Sequence, residues 1–271
     1  MSSKRPNIQS VKSDSSLNKG AVHDDAVDEV LNKPSKHIYV LPNLITSAGL
    51  FAGFYAIMQS RLGNFEAACL AIYAAMIMDI LDGRLARLTN TTSDFGSEYD
   101  SLADMVSFGV APALVMYEFA LYELGRFGSL VAFVYIACAA LRLARFNVAK
   151  VEDKRFFIGV PSPGAAAMAA SVLWVCIDYQ ISPEGINAMF AVLIASLGLL
   201  MVSNIKFRSF KDFDFKDKMP FVGMIVLILA IAMIYLSPPL AFLVIGLVYI
   251  CAGVAMYVVN KTRSSNKTPD L

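Results

Sequence analysis

The stretch DILDGRLARLTNTTSDFGSEYDSLAD, residues 79–104, sets Asp79, Asp82, Asp100 and Asp104 between two long apolar runs. Asp79 and Asp82 close the run before it, and Asp100 and Asp104 open the run after it. On helices, the i,i+3 and i,i+4 spacings place each pair of carboxylates on one face. The polar segment LTNTTSDFG between them reads as a short loop, in which Ser93 or Asp94 can cap the second helix and Gly96 permits close packing or a bend. Ionisable groups at the edge of a bilayer are costly, so four acids here require a partner that offsets their charge. A divalent cation is the obvious one.

Outside this stretch the chain is strongly apolar. Of its 271 residues 57% are hydrophobic and only 17% charged, where a soluble protein carries about 25% charged residues. Apolar runs of about 20 residues each identify a polytopic membrane protein. The expected fold is all-α, an integral membrane helical bundle with eight spans near 42–60, 64–88, 96–122, 127–149, 163–180, 184–204, 219–236 and 239–259. Pro42 suits the first turn of the first helix. Residues 1–35 read as a disordered cytoplasmic tail, 36–260 as the transmembrane domain and 261–271 as a cytoplasmic C-terminal tail.

Charge gives the orientation. With both termini inside, every Lys and Arg except Arg61 and Arg126 falls on the cytoplasmic side, as the positive-inside rule requires. The 79–104 stretch then lies at the cytoplasmic face of the inner cell membrane, where a water-soluble nucleotide and a bilayer lipid can both reach it. A net charge of +1 gives no basis for nucleic-acid binding. The polar first 37 residues exclude an N-terminal secretory signal. Cys69, Cys138, Cys176 and Cys251 all sit in apolar runs without a CxxC or Cys/His cluster, so they read as buried, inert thiols.

Carboxylates at the ends of facing helices suit hard cations that prefer oxygen ligands, Mg²⁺, Mn²⁺ or Ca²⁺. A pair of such ions typically clamps a phosphoryl group, and a remaining carboxylate can take a proton from an attacking hydroxyl. Arg87 can offer its fork of donors to phosphate oxygens, and Gly83 lets a ligand approach the backbone. Asn43 and Thr46 can hydrogen-bond nucleotide or phosphate, although helix-end capping accounts for them nearly as well. Spacing alone leaves other readings open: ion pairs with Arg84, Arg87 or loop residues, a cation or proton transporter, or an Asp-x-x-Asp site for a prenyl diphosphate. Against a transporter, the acids cluster at one membrane edge and mid-span acids are scarce, Glu118 being the nearest case.

The pattern Asp79-x2-Asp82-Gly83-x2-Ala86-Arg87-x8-Gly96-x3-Asp100-x3-Asp104 resembles the signature of the CDP-alcohol phosphotransferase family at every defined position. PNLIT (42–46), LRLARFN (141–147), GVPSPGAAA (159–167) and MVSNIKFRSFK (201–211) are similar to the membrane-embedded phosphatidylserine synthase branch of that family. The resemblance implies two divalent cations on Asp79, Asp82 and Asp100. It makes Asp104 the general base and a fourth ligand, and sets Gly83, Ala86 and Arg87 against the cytidine diphosphate. It implies transfer of phosphatidyl from CDP-diacylglycerol to L-serine with release of CMP, in a homodimer. The phospholipase D type of serine synthase needs an HxK pair, and the two histidines here form none.

Serine needs a cation for its carboxylate. Arg142 and Arg145 lie one turn apart with Asn147 beyond, and an Arg can bind a carboxylate bidentately. These residues are candidates to bind serine or a substrate phosphate; topology signalling or lipid-headgroup contact is the competing reading of the two arginines and the favoured one for Lys206, Arg208 and Lys211. Glycerol 3-phosphate or inositol phosphate, the alternative acceptors, would call for a denser basic pocket.

Overall fold

A computed structural model describes residues 40–89, 91, 93–148, 156–208 and 221–265. The tail expected at 1–35 lies outside these residues, as do 266–271 of the tail expected at the C-terminus. Among the described residues the eight apolar runs each contain a helix: α1 Val40–Arg61, α2 Phe65–Leu88, α3 Asp94–Leu124, α4 Arg126–Val148, α5 Ser162–Asp178, α6 Asn187–Val202, α7 Phe221–Leu236 and α8 Pro238–Ser265. The protein is a helical membrane protein. Four segments are long and apolar enough to cross a bilayer: α1, α3, α4 and Pro238–Tyr257 of α8. By the same measure α5, α6 and Gly223–Leu236 of α7 are shorter apolar helices. The turn between α5 and α6, with Gln180 and Gly185 at positive φ, takes residues that the apolar pattern assigns to the spans.

Small residues let the first three helices converge. Gly49 and Gly53 lie one turn apart on α1. A Cβ at Gly49 would sit 3.4 Å from the Met78 Cβ of α2, and one at Gly53 would come within 2.7 Å of the Ser107 Cα of α3. At Gly53 only glycine allows such an approach of backbones inside a membrane, where packing rather than hydrophobic burial holds helices together. Ala68, Ala71, Ala75, Ala103 and Ala111 are buried nearby.

Helix α3 is not a regular rod. It begins at Ser93, whose hydroxyl accepts the Gly96 N–H at 3.0 Å. It then widens into π-helix at Met105–Val110 and again at Tyr117–Leu121. Wide turns disturb the regular backbone ladder, and neighbouring side chains bond to the backbone around the first one. The Ser107 hydroxyl of the π-turn donates to the Gly49 carbonyl at 3.1 Å, and the Tyr135 hydroxyl of α4 to the Phe108 carbonyl at 3.2 Å. At the far end of α3, the buried Asn187 amide of α6 donates to Glu123.

A short antiparallel ribbon joins the two loops on the other side. Strand β1, Phe156–Ile158, pairs with β2, Lys206–Arg208. Gly159 follows at φ +77°, and a Cβ there would lie 2.1 Å from the Met201 carbonyl oxygen. Its N–H donates to Ile205 at 2.8 Å, and the Val160 N–H to Leu200 at 3.1 Å. This junction fixes where α5 starts, at the Pro161-Ser162-Pro163 corner. Helix α8 docks on α5 and on Tyr73 of α2, whose ring stacks with Phe242 at 4.7 Å. Cys69, Cys138 and Cys176 are buried as expected, whereas Cys251 is exposed on α8. Its apolar run faces outward there rather than into the bundle.

Candidate active site

Helix α2 ends, and α3 begins, beside the N-terminal half of α1. The three together line one cleft with Thr46, Gly49, Ala75, Asp79, Asp82, Asp100, Ala103, Asp104, Ser107 and Phe108. On α3 these residues recur at i, i+3, i+4, i+7 and i+8, a single helical stripe, so the spacing that pairs Asp100 with Asp104 also aims both into the cleft. One carboxylate oxygen each from Asp79, Asp82 and Asp100 lies within 4.8 Å of the others. Asp104 lines the same cleft one turn deeper and is not part of that three-way group.

Asp82 is buried, 5% exposed, and its carboxylate accepts the Thr46 hydroxyl at 2.7 Å. The Thr46 hydroxyl also lies 3.1 Å from the Pro42 carbonyl of its own helix, so its one proton has two acceptors in reach, the nearer being the carboxylate. Asp79, Asp100 and Asp104 are half-buried. Asp79 feels the charge of Asp82, and Asp100 feels both. Among the described residues the one cation in electrostatic reach of the four acids is Arg142, beside Asp104. Arg84 and Arg87 are exposed, and neither forms an ion pair with the four acids among the described residues. Three converging oxygen donors with unbalanced charge are the donor set of a hard cation, and the Asp cluster fits a divalent metal ion.

The other expected residues distribute around this centre. Asn43 is half-buried, with its Oδ1 3.5 Å from where a Cβ on Gly96 would stand, so the start of α3 lies against α1. Gly83 is open: a Cβ there would meet only the Arg87 Nη2 at 3.9 Å. Ala86 is half-buried on the next turn, and Arg87 is exposed. The three therefore form an accessible face beside the acids.

On α4 the expected trio separates. Arg142 is half-buried and its Nη1 donates to the Ser162 hydroxyl at the start of α5, at 2.8 Å. Arg145 is exposed and donates to Asn204 at 2.9 Å. Asn147 is exposed and bonds Ser101 on α3 at 3.1 Å. Of these, Arg142 alone is turned toward Asp104. The side chains of Lys206 and Arg208 and the whole of Lys211 lie outside what the structure describes. Ser162 and Ser101 had no role in the sequence reading. Ser162 had a signal, its place between two prolines; Ser101 had none beyond its position on the α3 stripe.

Because Thr46 fixes the Asp82 carboxylate, Thr46→Val should keep the fold and weaken the metal site. Loss of such an outer hydrogen bond costs roughly 10- to 100-fold in metal affinity. The measurement is the half-saturating Mn²⁺ concentration for stabilisation against heat. An unchanged value would show that Thr46 only caps its helix.

The model of the family CDP-alcohol phosphatidyltransferase matches residues 39–202 of this chain. Several curated relatives carry the name CDP-diacylglycerol–serine O-phosphatidyltransferase. One from Helicobacter pylori strain J99 is 38% identical over 228 residues, covering 83% of this chain and 94% of the relative. One from Bacillus subtilis is 38% identical over 171 residues, covering 63% and 91%. One from Methanocaldococcus jannaschii is 34% identical over 223 residues, covering 82% and 96%.

Proposed function

The chain belongs to the CDP-alcohol phosphatidyltransferase family, and on that premise we propose that it transfers the phosphatidyl group of CDP-diacylglycerol to the hydroxyl of L-serine, giving phosphatidylserine and CMP. The observation that carries the reading is the convergence of Asp79, Asp82 and Asp100 in one cleft with Asp104 just below them. The name shared by relatives that align over most of this chain supports serine as the acceptor.

The residues divide the work by position. Asp79, Asp82 and Asp100, with Asp104 as fourth ligand, would hold two divalent cations, Mg²⁺ or Mn²⁺, with Ca²⁺ also suited to an all-oxygen site. When bound, these ions supply the positive charge that neutralises the diphosphate and the departing phosphate. Thr46 holds Asp82 in place, and Asn43 lies where nucleotide or phosphate passes between α1 and α3. The open face of Gly83, Ala86 and Arg87 takes the cytidine diphosphate, Arg87 being free to meet phosphate. Asp104 accepts the proton of the serine hydroxyl as that oxygen attacks the phosphorus bearing diacylglycerol. The bond from that phosphorus to the bridging oxygen breaks, and CMP leaves with the electron pair. No covalent enzyme intermediate is needed. Arg142 receives the serine carboxylate, while Arg145 and Asn147 brace the rim of the pocket.

In this reading residues 36–260 form one transmembrane domain with eight crossings, both termini cytoplasmic, and the site at the cytoplasmic face of the inner membrane. Bilayer lipid surrounds the outward apolar faces, and the enzyme works as a homodimer.

The test is direct. Purified protein is incubated with CDP-diacylglycerol, Mn²⁺ or Mg²⁺ and one alcohol at a time, and CMP is followed. Serine-dependent release supports the reading; release with glycerol 3-phosphate or inositol phosphate and none with serine overturns it. Within it, Arg142→Ala should raise the KM for serine by at least about tenfold, the loss expected for a hydrogen-bonded charge pair. The KM for CDP-diacylglycerol should move less than about twofold. Equal changes in both constants would remove Arg142 from the serine pocket.

A further inference from the structure

The family match ends at residue 202, and α8 lies wholly beyond it. Even so, α8 is built into the bundle along one stripe. Phe242 stacks on Tyr73. One turn on, Gly246 brings α8 so close to α5 that a Cβ would meet the Met168 sulfur at 3.0 Å. On the turn after that, the half-buried Tyr249 comes within electrostatic reach of the Arg142 guanidinium. Residues 242, 246 and 249 share one helical face, so the contacts that dock the helix also deliver Tyr249.

Arg142 is an uncommon side chain to find here. It lies inside the bundle, its Nη1 is given to Ser162, and its Nε is buried without a hydrogen-bond partner among the described residues. A guanidinium has five N–H donors in a rigid fork, and unpaired donors of a buried charge are costly. A bound carboxylate answers that shortfall.

We propose that Tyr249 is a positioning residue for the acceptor: together with Ser162 it holds the Arg142 guanidinium so that its remaining N–H edge meets the carboxylate of the incoming amino acid, and α8 thereby completes the acceptor pocket. The inference rests on the serine reading above. It makes the last helix part of substrate recognition, although it contributes nothing to the metal cluster.

Tyr249→Phe keeps the ring and removes the hydroxyl, so it tests the idea without disturbing the docking stripe. Expected is a five- to tenfold rise in the KM for serine, with kcat, the KM for CDP-diacylglycerol and the half-saturating Mn²⁺ concentration all within about twofold. The same substitution is then made in an Arg142→Ala background, where it should have less than about a twofold effect on serine. Contacting residues that act through one another are non-additive in such a cycle. An unchanged serine KM in Tyr249→Phe overturns the inference and leaves the serine reading standing. So does an equal factor in both backgrounds. If the unaltered protein releases no CMP with serine, the proposed function falls and this inference with it. Ser162→Ala, made independently, should reproduce the serine-specific rise; a fall in kcat alone would count against the shared role.

Discussion

Asp104→Asn should lower serine-dependent CMP release by about a thousandfold, within the range that a positioned general base contributes. The substitution is nearly isosteric, and Asp104 lines the cleft without joining the three-way oxygen cluster. The fold should therefore survive, and Asp79, Asp82 and Asp100 remain to hold metal with only the fourth ligand weakened. What is lost is the capacity to take a proton from the attacking hydroxyl, together with the negative charge facing Arg142. Two readouts separate a base from a ligand. The KM for CDP-diacylglycerol should stay within a few-fold, and raising Mn²⁺ a hundredfold should not restore turnover. Recovery at high metal would make Asp104 a ligand only, and activity within tenfold of the parent would remove it from the chemistry.

Asp82→Asn should behave in the opposite way, with a change of sign between the metal-free and metal-bound protein. Two carboxylate oxygens within 4.8 Å of each other repel by roughly a few kcal/mol at the effective dielectric of a protein. Without metal that repulsion destabilises the fold, so removing one charge should raise the melting temperature of chelator-treated protein in detergent. With metal the parent gains stability by mass action in proportion to occupancy, whereas the variant should need at least about a hundredfold more Mn²⁺ for the same gain, since even an outer hydrogen bond is worth up to about that factor. Turnover should fall to background at low metal. Chelation of the parent should likewise abolish CMP release, and Mn²⁺ or Mg²⁺ should restore it. A variant that is less stable without metal, or a parent that melts at one temperature with and without metal, would contradict the assignment of these acids to a cation.

The part of this site that can be read from the sequence is the part with fixed periodicity. Asp79, Asp82, Asp100 and Asp104 converge because i,i+3 and i,i+4 spacing on helices leaves little freedom, and the short loop between α2 and α3 brings the helix ends together. The helix positions follow from apolar run length for the same reason. Arg142 illustrates where reading stops. Its spacing from Arg145 shows a shared region of α4 and nothing more. Which of the two turns inward depends on Ser162, twenty residues on, and on Tyr249, more than a hundred away. The ribbon of Phe156–Ile158 with Lys206–Arg208 is similarly silent, because three residues cannot display a period of two. Of α5 and α6, 17 and 16 residues long, the apolar pattern overstates the length. It cannot see that a turn with Gln180 and Gly185 at positive φ claims residues at both ends.

The wide turn at Met105–Val110 gives α3 a mechanical property that a regular helix lacks. A helix that must satisfy two rigid surfaces has one register to offer both. Above the turn, Asp100 and Asp104 must point at α2. Below it, Val115 and Met116 must interlock with a dense core. The additional residue in the π-turn acts as an expansion joint, letting the two halves be phased separately. Selection can then alter the lipid-facing and core-facing lower half, and with it thickness matching or assembly, while the angular setting of the acids stays where chemistry needs it.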